Sequence, residues 1–276
     1  MLSSSTHNHT TWCDGKNTPE EMAEAAWKLG FTDLGFSGHT YVDFADFGIR
    51  DELAYAAMLR QLGEQFAGRM RIAVGIEHDW YYPVRHREAF DYIIGSVHEI
   101  QSPDTGKRYI IDGPASYAEA CRDEAFGGDG LAMVRRFYEI TAENAEQYRP
   151  DIIGHFDLII IKNNAGGRLF DEESRQYRQA ALESLHRCLD TSAVFELNTG
   201  GIFRKYRSTP YPADFLLREL CAKHARITVN ADAHETAALR FWFDEALELL
   251  ETVGFGSVWV WENGGFRERG IRDLRR

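Results

Sequence analysis

Seven short stretches of the chain are rich in apolar residues, and most of them end at a polar residue. The stretch from Arg71 to Ile76, for example, is apolar at nearly every position after the first. A nearly continuous apolar run of this length indicates a parallel strand that is covered on both faces. We therefore predict seven strands, over residues 2–6, 33–37, 71–76, 92–97, 151–154, 193–197 and 226–231.

Amphipathic segments with helix-start signals separate most of these strands. The first has Thr18 as N-cap, Pro19 at the first helical position and Glu21 at the third, which is the capping-box pattern. It runs to about Leu29, and Gly30 suits the left-handed position that follows a helix. Comparable segments predict helices over residues 52–66, 173–189, 213–224 and 236–253.

The alternation of strands and helices implies a parallel sheet, either open and doubly wound or closed into a barrel. In an open sheet, functional residues concentrate near one switch point, whereas in a barrel the carboxyl ends of all strands surround one pocket. Polar residues follow most of the predicted strands here. The pattern therefore favours an α/β barrel.

Two segments fall outside this alternation. Residues 101–150 are too long for a simple crossover and predict two helices, broken around residues 127–130, that cover part of the barrel mouth. Residues 257–261 are a candidate further strand, and the Arg-rich tail from Arg267 is expected to be a surface terminus. Because no repeat or low-complexity linker interrupts the chain, we expect a single domain over residues 1–276.

Composition narrows the classes of function. The chain is 44% apolar and 27% charged, and it lacks a run of about 18 apolar residues that could span a bilayer. Residues 2–14 do not resemble a signal peptide, and the four cysteines are scattered, so we expect a cytoplasmic protein. A net charge of -12 argues against a nucleic-acid partner but not against a small substrate. The oligomeric state is not predicted.

Histidines and carboxylates stand where the predicted strands end. His7 and His9 are two residues apart, a spacing that directs both side chains to one side of an extended chain. The full set is His7, His9, Asp14, His39, Glu77, His98, His155, Asp232 and His234. Nitrogen and carboxylate ligands without thiolate are typical of catalytic Zn, Fe or Mn. The set predicts two or three ions with a bridging carboxylate.

Each of these residues, taken alone, has a simpler interpretation. A histidine at a strand end is more often a core residue that donates to a carbonyl group than a metal ligand. Such a gathering at one mouth is harder to explain without metal, because the charged groups would repel one another or lose their hydration. We interpret His78, His86, His186 and His224 as surface or core residues. Glu196 and Asn198 could support the barrel or contact the ligands.

The strand-end motifs include His7-x-His9, Ser37-Gly38-His39, Gly75-Ile76-Glu77, Gly95-Ser96-Val97-His98, Gly154-His155-Phe156-Asp157, Glu196-Leu197-Asn198-Thr199 and Asp232-Ala233-His234. Taken in order, they resemble the PHP (polymerase and histidinol phosphatase) family, and within it the stand-alone histidinol-phosphatases. The resemblance implies a distorted (β/α)7 TIM-like barrel with a trinuclear metal centre at the carboxyl ends of the strands. By position, one ion takes His7, His9, Glu77 and Asp232, a second takes Glu77, His98 and His155, and a third takes Asp14, His39 and His234.

A phosphate group also needs fixed positive charge. Arg204 resembles the family's phosphate-binding arginine, and a planar guanidinium can hold two phosphate oxygens at once. Lys205 and Arg207 are further candidates in the same loop. After the fifth strand the resemblance leads us to expect another arginine, whereas this chain has Lys162, which would act as a point charge. Asp157 would orient a ligand or donate a proton.

The function implied by the resemblance is a metal-dependent phosphomonoesterase that converts L-histidinol phosphate to L-histidinol and phosphate in histidine biosynthesis. Glu77, Asp232 and Asp157 would be its catalytic residues. Lys162 departs from the family pattern and weakens the substrate assignment more than the metal assignment. Three alternatives stay open: a PHP phosphoesterase acting on another small phosphomonoester or a nucleotide, an amidohydrolase-like metal enzyme, and a metal-binding or regulatory protein without catalysis.

Overall fold

Seven parallel strands form the centre of the structure, a computed structural model that describes residues 1–163 and 169–275. They lie in the order β1-β2-β3-β4-β7-β8-β9, so each strand of the sheet pairs with the next one along the chain. All seven predicted strands are confirmed, although most are shorter than expected and β3 is longer. The strands are β1 (Ser4–Ser5), β2 (Asp33–Phe36), β3 (Arg71–Asp79), β4 (Tyr92–Ser96), β5 (Glu99–Gln101), β6 (Arg108–Ile110), β7 (Ile152–Ile153), β8 (Val194–Asn198), β9 (Ile227–Asn230), β10 (Ser257–Glu262) and β11 (Gly265–Gly270).

Helices connect most of the barrel strands. They are α1 (Pro19–Lys28), α2 (Glu52–Gln65), α3 (Ala115–Ala120), α4 (Gly130–Tyr148), α5 (Arg175–Leu189), α6 (Gly200–Phe203), α7 (Asp214–Ala222), α8 (Phe243–Val253) and α9 (Ile271–Leu274). The capping box at α1 is confirmed, since Thr18 accepts from the Glu21 amide at 3.2 Å and Glu21 accepts from the Thr18 amide at 3.0 Å. Among the residues that the structure describes, no helix is both long and apolar enough to cross a membrane.

The sheet closes between its first and last strands. Beyond β1 and β9, the amide of His9 donates to the carbonyl of Ala233 at 2.8 Å, and the amide of Ala233 donates to the carbonyl of His7 at 3.2 Å. These bonds join two edges that an open sheet would leave apart. The predicted distorted (β/α)7 barrel is therefore confirmed, and the carboxyl ends of its strands surround one mouth.

Tyr92 fills the interior of the barrel near its amino end. This residue opens β4, is fully buried, and donates its hydroxyl across the barrel to the carbonyls of Thr6 and Phe36. Gly35 and Gly75 leave room for the ring, because a Cβ atom would lie 2.3 Å from the Tyr92 hydroxyl at Gly35 and 2.2 Å from Tyr92 Cζ at Gly75. One side chain from β4 thereby ties the ends of β1 and β2 together.

The β10–β11 hairpin packs beneath Tyr92. The Trp261 ring of β10 contacts the Tyr92 ring, with centroids 5.1 Å apart. The candidate strand over residues 257–261 is thus confirmed. The chain from Arg267 is mostly exposed at the surface as expected, but Arg267 and Arg269 belong to β11 rather than to a tail. Their charged side chains are exposed, as is common on an edge strand. The segment therefore lacks the apolar run by which the barrel strands were predicted.

The segment over residues 101–150 contains the two predicted helices, α3 and α4, with the break just before Gly130. Asp129 caps α4 by accepting from the amides of Leu131 and Ala132, both at 2.9 Å. The β5–β6 hairpin before them was not predicted, because strands of three residues are too short to show a hydrophobic period. It leaves the barrel directly after His98 and therefore stands beside the mouth.

Replacing Tyr92 with phenylalanine should weaken the fold without changing its shape. Tyr92→Phe leaves two buried carbonyls without their hydroxyl donor, so we expect the free energy of unfolding to fall by about 1–3 kcal/mol. Urea unfolding followed by circular dichroism measures this. Tyr117→Phe is the matched control, because the Tyr117 side chain is exposed. Equal unfolding midpoints for Tyr92→Phe and the wild type would contradict the role given to this hydroxyl.

Candidate metal centre

All nine predicted ligands gather at the mouth of the barrel, where they form adjoining groups. Eight of them come from the ends of strands, and Asp14 comes from the loop after His9. Glu77 lies inside β3 rather than just after it, because β3 continues to Asp79. Glu77 contacts histidines on both sides, since its Oε2 faces His7 and His9 and its Oε1 faces His98 and His155.

The first group contains His7, His9, Glu77 and Asp232. The Nε2 atoms of His7 and His9 lie 3.2 and 3.4 Å from Glu77 Oε2. The same two nitrogen atoms lie 3.6 and 3.3 Å from Asp232 Oδ1. Two imidazoles and two carboxylate oxygens thus face one small volume, which is the donor set of a divalent transition metal.

The second group uses the other oxygen of Glu77. Glu77 Oε1 lies 3.0 Å from His155 Nε2 and 3.4 Å from His98 Nε2. The two histidine nitrogens are 3.2 Å from each other. Because Oε1 faces this group and Oε2 faces the first, Glu77 has the geometry of a bridging carboxylate.

The third group lies at the outer side of the mouth and is more accessible to solvent. Asp14 Oδ2 is 3.0 Å from His234 Nε2 and 3.7 Å from His39 Nε2, and Asp14 Oδ1 is 3.4 Å from His9 Nδ1. His39 also reaches Glu77 Oε2 through Nδ1 at 3.1 Å. The third group therefore adjoins the first, with His9 between them.

Three atoms at the centre of these groups indicate that a cation belongs there. His7 Nε2, His9 Nε2 and Glu77 Oε2 are buried and make no hydrogen bond to the part of the chain that is described. Buried polar atoms in native proteins are nearly always satisfied, since leaving one unpaired costs about 1–3 kcal/mol. A metal ion would satisfy all three atoms at once, so the residues fit the implied metal.

Electrostatics at the mouth point the same way. Burial alone would lower the pKa of His7, but the charges of Glu196 and Glu77 raise it well above the ordinary value. Burial likewise opposes the charged form of His98, yet Glu77 and Asp79 raise its pKa to about 10. The pKa of Glu77 falls well below its usual range despite burial, because His39, His7 and His98 face its oxygens. Burial lowers the pKa of His39 itself to about 3, so His7 and His98 are the protonated neighbours. Without metal, protons on His7, His9 and His98 balance the carboxylates.

Two carboxylates behind the ligands hold the rings in place. Glu196 is fully buried and accepts from His7 Nδ1 at 2.9 Å and from the His155 amide at 2.6 Å. Asp79 accepts from His98 Nδ1 at 3.1 Å and from the His98 amide at 2.7 Å. The sequence left the role of Glu196 open and missed Asp79, although Asp79 is two residues after Glu77 and so faces the same side of β3. Such partners fix the ring orientation and the nitrogen that faces the metal.

Arg204 reaches the mouth from the end of α6. Its Nη2 lies 2.8 Å from Asp232 Oδ2, and its Nη1 lies 3.0 Å from His234 Nδ1. Lys162 is largely buried, and its Nζ lies 3.5 Å from the centre of the Tyr206 ring. Tyr206 and Arg204 line the pocket over the metal groups, whose volume is about 190 Å³. The sequence gave no signal for Tyr206 or for Asp112, which also lines this pocket.

Of the predicted substrate-binding and proton-donating residues, Arg204 lines the pocket, whereas Lys162, Arg207 and Asp157 do not. Arg207 donates to both oxygens of Glu172, at 3.1 and 2.9 Å, and to the carbonyl of Ile160, so protein groups occupy its guanidinium. Asp157 is fully buried and accepts from the Ala213 amide at 2.8 Å, and burial raises its pKa to about 7. Its position predicts support for the loop before α7 rather than proton donation.

Comparison with known proteins identifies the family of this chain and two similar sequences. The PHP domain family matches residues 5–200. A protein of Deinococcus radiodurans named "Probable histidinol-phosphatase" is 28% identical over 266 residues, which cover 91% of this chain and 94% of that protein. A protein of the same name from Schizosaccharomyces pombe is 22% identical over 283 residues, covering 95% and 90%.

A solved structure shares the fold. It is the histidinol phosphate phosphatase of Lactococcus lactis complexed with Zn, L-histidinol and phosphate. It superposes with a TM-score of 0.69 at 20% identity, and the match covers 96% of this chain and 99% of that one. At this identity the likeness concerns the fold alone.

Metal binding should release protons. A metal needs neutral imidazoles, whereas the raised pKa values of His7, His9 and His98 keep these rings protonated at pH 7. We therefore expect metal affinity to rise with pH and at least about one proton to leave per chain on binding. Calorimetric titration of metal-free protein with Zn²⁺, in buffers of different ionisation enthalpy, counts these protons.

The matched control is His86→Ala, which removes a half-exposed histidine outside the mouth and should bind as the wild type does. His7→Ala should lose most of the heat and most of the proton release. Binding by His7→Ala that equals the wild type would show that the metal lies elsewhere.

Proposed function

The chain belongs to the PHP domain family, and on that premise we propose that it is a metal-dependent phosphomonoesterase that hydrolyses L-histidinol phosphate to L-histidinol and phosphate. The observation that carries the proposal is the gathering of nine histidine and carboxylate ligands in adjoining groups around Glu77, with Arg204 at their edge. The names of the two sequence relatives and the ligands of the Lactococcus lactis structure support the choice of substrate.

The proposed cofactor is a set of two to three divalent ions, Zn, Fe or Mn. We assign the first to His7, His9, Glu77 and Asp232, the second to Glu77, His98 and His155, and the third to Asp14, His39 and His234. The short N–O distances within each set support this partition. When bound, such ions supply Lewis acidity, which lowers the pKa of water and neutralises charge on phosphate oxygens.

The phosphate-binding role falls to Arg204 and, beside it, Lys162. Arg204 is held by Asp232 and by the Asp232 carbonyl, so its guanidinium enters the pocket in a fixed orientation. Gly200 permits this position, since a Cβ atom there would lie 2.9 Å from Arg204 Nη2. A fixed guanidinium stabilises the negative charge that grows on phosphate oxygens in the transition state.

Lys162 takes a weaker part in the same role. The ring of Tyr206 covers its ammonium group, and burial lowers the pKa of Lys162. A lysine supplies a point charge without the two-pronged contact of arginine.

In the overall reaction water adds to phosphorus, the bond to the alcohol oxygen breaks, and the alcohol leaves with a proton. Glu77 and Asp232 act as ligand carboxylates in this proposal, and Asp157 and Arg207 act only as supports of nearby loops.

A substrate panel tests the proposed activity. We expect metal-loaded protein to release phosphate from L-histidinol phosphate with a kcat/KM at least about a hundredfold above that for sugar phosphates or nucleotides, which requires about 3 kcal/mol of discrimination. His9→Ala should lose turnover and His86→Ala should keep it. A preference for another phosphomonoester would reject the substrate but keep the phosphatase. No phosphate release from any member of the panel would reject both.

Arg204 can be tested separately from the metal. Arg204→Ala removes a preorganised positive group and should lower kcat/KM by about 10²–10³-fold. Lys205→Ala is the matched control, because Lys205 is exposed in the same loop and should have little effect. The metal content of both variants, measured by elemental analysis, should equal that of the wild type. Full activity in Arg204→Ala with unchanged metal would contradict the role of this arginine.

A further inference from the structure

A second cavity adjoins the metal centre. Its volume is about 220 Å³, and it lies between the loop that follows β2 and the β5–β6 hairpin. Asp14, His39, His98 and Asp112 line both this cavity and the pocket over the metal groups. A molecule held by a phosphate group at the metal centre can therefore extend into the cavity. We refer to this space as the side cavity.

The walls of the side cavity are largely apolar. Val42, Ala45 and Phe47 contribute from the loop after β2, and Ile110 contributes from β6. The Phe47 ring packs against the His39 ring, with centroids 5.0 Å apart, and this contact fixes the wall beside the metal centre. A narrow space with aliphatic and aromatic walls suits a planar ring or a short alkyl chain.

Glu99 places a carboxylate on this apolar surface. Its residue is 2% exposed, and its Oε2 has no hydrogen-bond partner among the described residues. Arg108 of the same hairpin pairs with Asp43 at 3.3 Å and donates to the Tyr82 hydroxyl instead. Burial, together with the charge of Asp79, raises the pKa of Glu99 to about 8. An N–H or positively charged group of a ligand would satisfy the unpaired oxygen and stabilise the charged carboxylate.

Resting on the proposed phosphatase function, we propose that the side cavity binds the leaving alcohol of the phosphomonoester and that Glu99 selects an alcohol with an N–H donor or a positive charge. Asp112, where the two spaces meet, adds negative charge on the same path. A planar ring would lie between Phe47 and Ile110, with its polar edge toward Glu99. L-Histidinol, which has an imidazole and an ammonium group, meets these requirements.

Product inhibition tests this assignment apart from the chemistry at phosphorus. The probes are L-histidinol and inorganic phosphate, each as an inhibitor of metal-loaded enzyme. Glu99→Gln keeps the size of the side chain but removes its charge, so the inhibition constant for L-histidinol should rise about tenfold. The inhibition constant for phosphate and the metal content should not change. Glu88→Gln is the matched control, because Glu88 is an exposed residue outside both spaces.

A second variant covers the case in which Glu99→Gln fails to fold. Ile110→Phe places extra volume in the side cavity at a half-buried position, and it should also weaken L-histidinol inhibition while leaving phosphate inhibition unchanged. Equal effects on both inhibitors, or no effect on either, would overturn the assignment. In those cases a wild type that still hydrolyses L-histidinol phosphate keeps the proposed function, whereas a wild type that releases no phosphate rejects that function itself.

Discussion

The Glu77 carboxylate is the contact on which the mouth of the barrel depends. Its two oxygens lie within 3.4 Å of nitrogen atoms from five histidines, which come from the ends of four strands: His7, His9, His39, His98 and His155. A buried carboxylate is unstable in an apolar interior unless positive charge surrounds it. That charge must come from protons on the rings or from metal ions. In both cases each contributing strand has to end where its histidine can reach the Glu77 carboxylate.

The amino end of the barrel contributes mainly to stability, and the carboxyl end holds the groups proposed for the chemistry. At the amino end, Tyr92 and Trp261 fill the interior with aromatic surface, which favours folding through burial. At the carboxyl end, Glu196 and Asp79 hold the ligand rings from behind. His7 Nε2 and Glu77 Oε2 have no hydrogen-bond partner in the described ranges, residues 1–163 and 169–275. A polar mouth of this kind lowers the free energy of unfolding when no metal is bound. The apolar packing at the amino end of the barrel therefore has to stabilise the fold.

Much of this architecture was predictable from local sequence because its signals are local. Apolar runs located all seven barrel strands, and the residue types at their ends identified the metal groups. Contacts between distant segments were not predictable in the same way. Arg207 follows Arg204 by three residues, yet its side chain donates to Glu172. The local sequence around Arg207 does not predict this ion pair, because Glu172 lies 35 residues away in the chain. The β5–β6 hairpin was missed because its strands are short, and with it the side cavity and Glu99.

The proposed chemistry requires metal ions at the mouth, with Glu77 shared between two of them. Diffraction from crystals of the metal-loaded protein, recorded on both sides of the metal's absorption edge, locates such ions directly. We expect anomalous peaks within each ligand group, with Glu77 Oε1 and Oε2 on two different ions and Arg204 facing any bound phosphate. Peaks confined to surface histidines such as His86 and His186, with none beside Glu77, would contradict it.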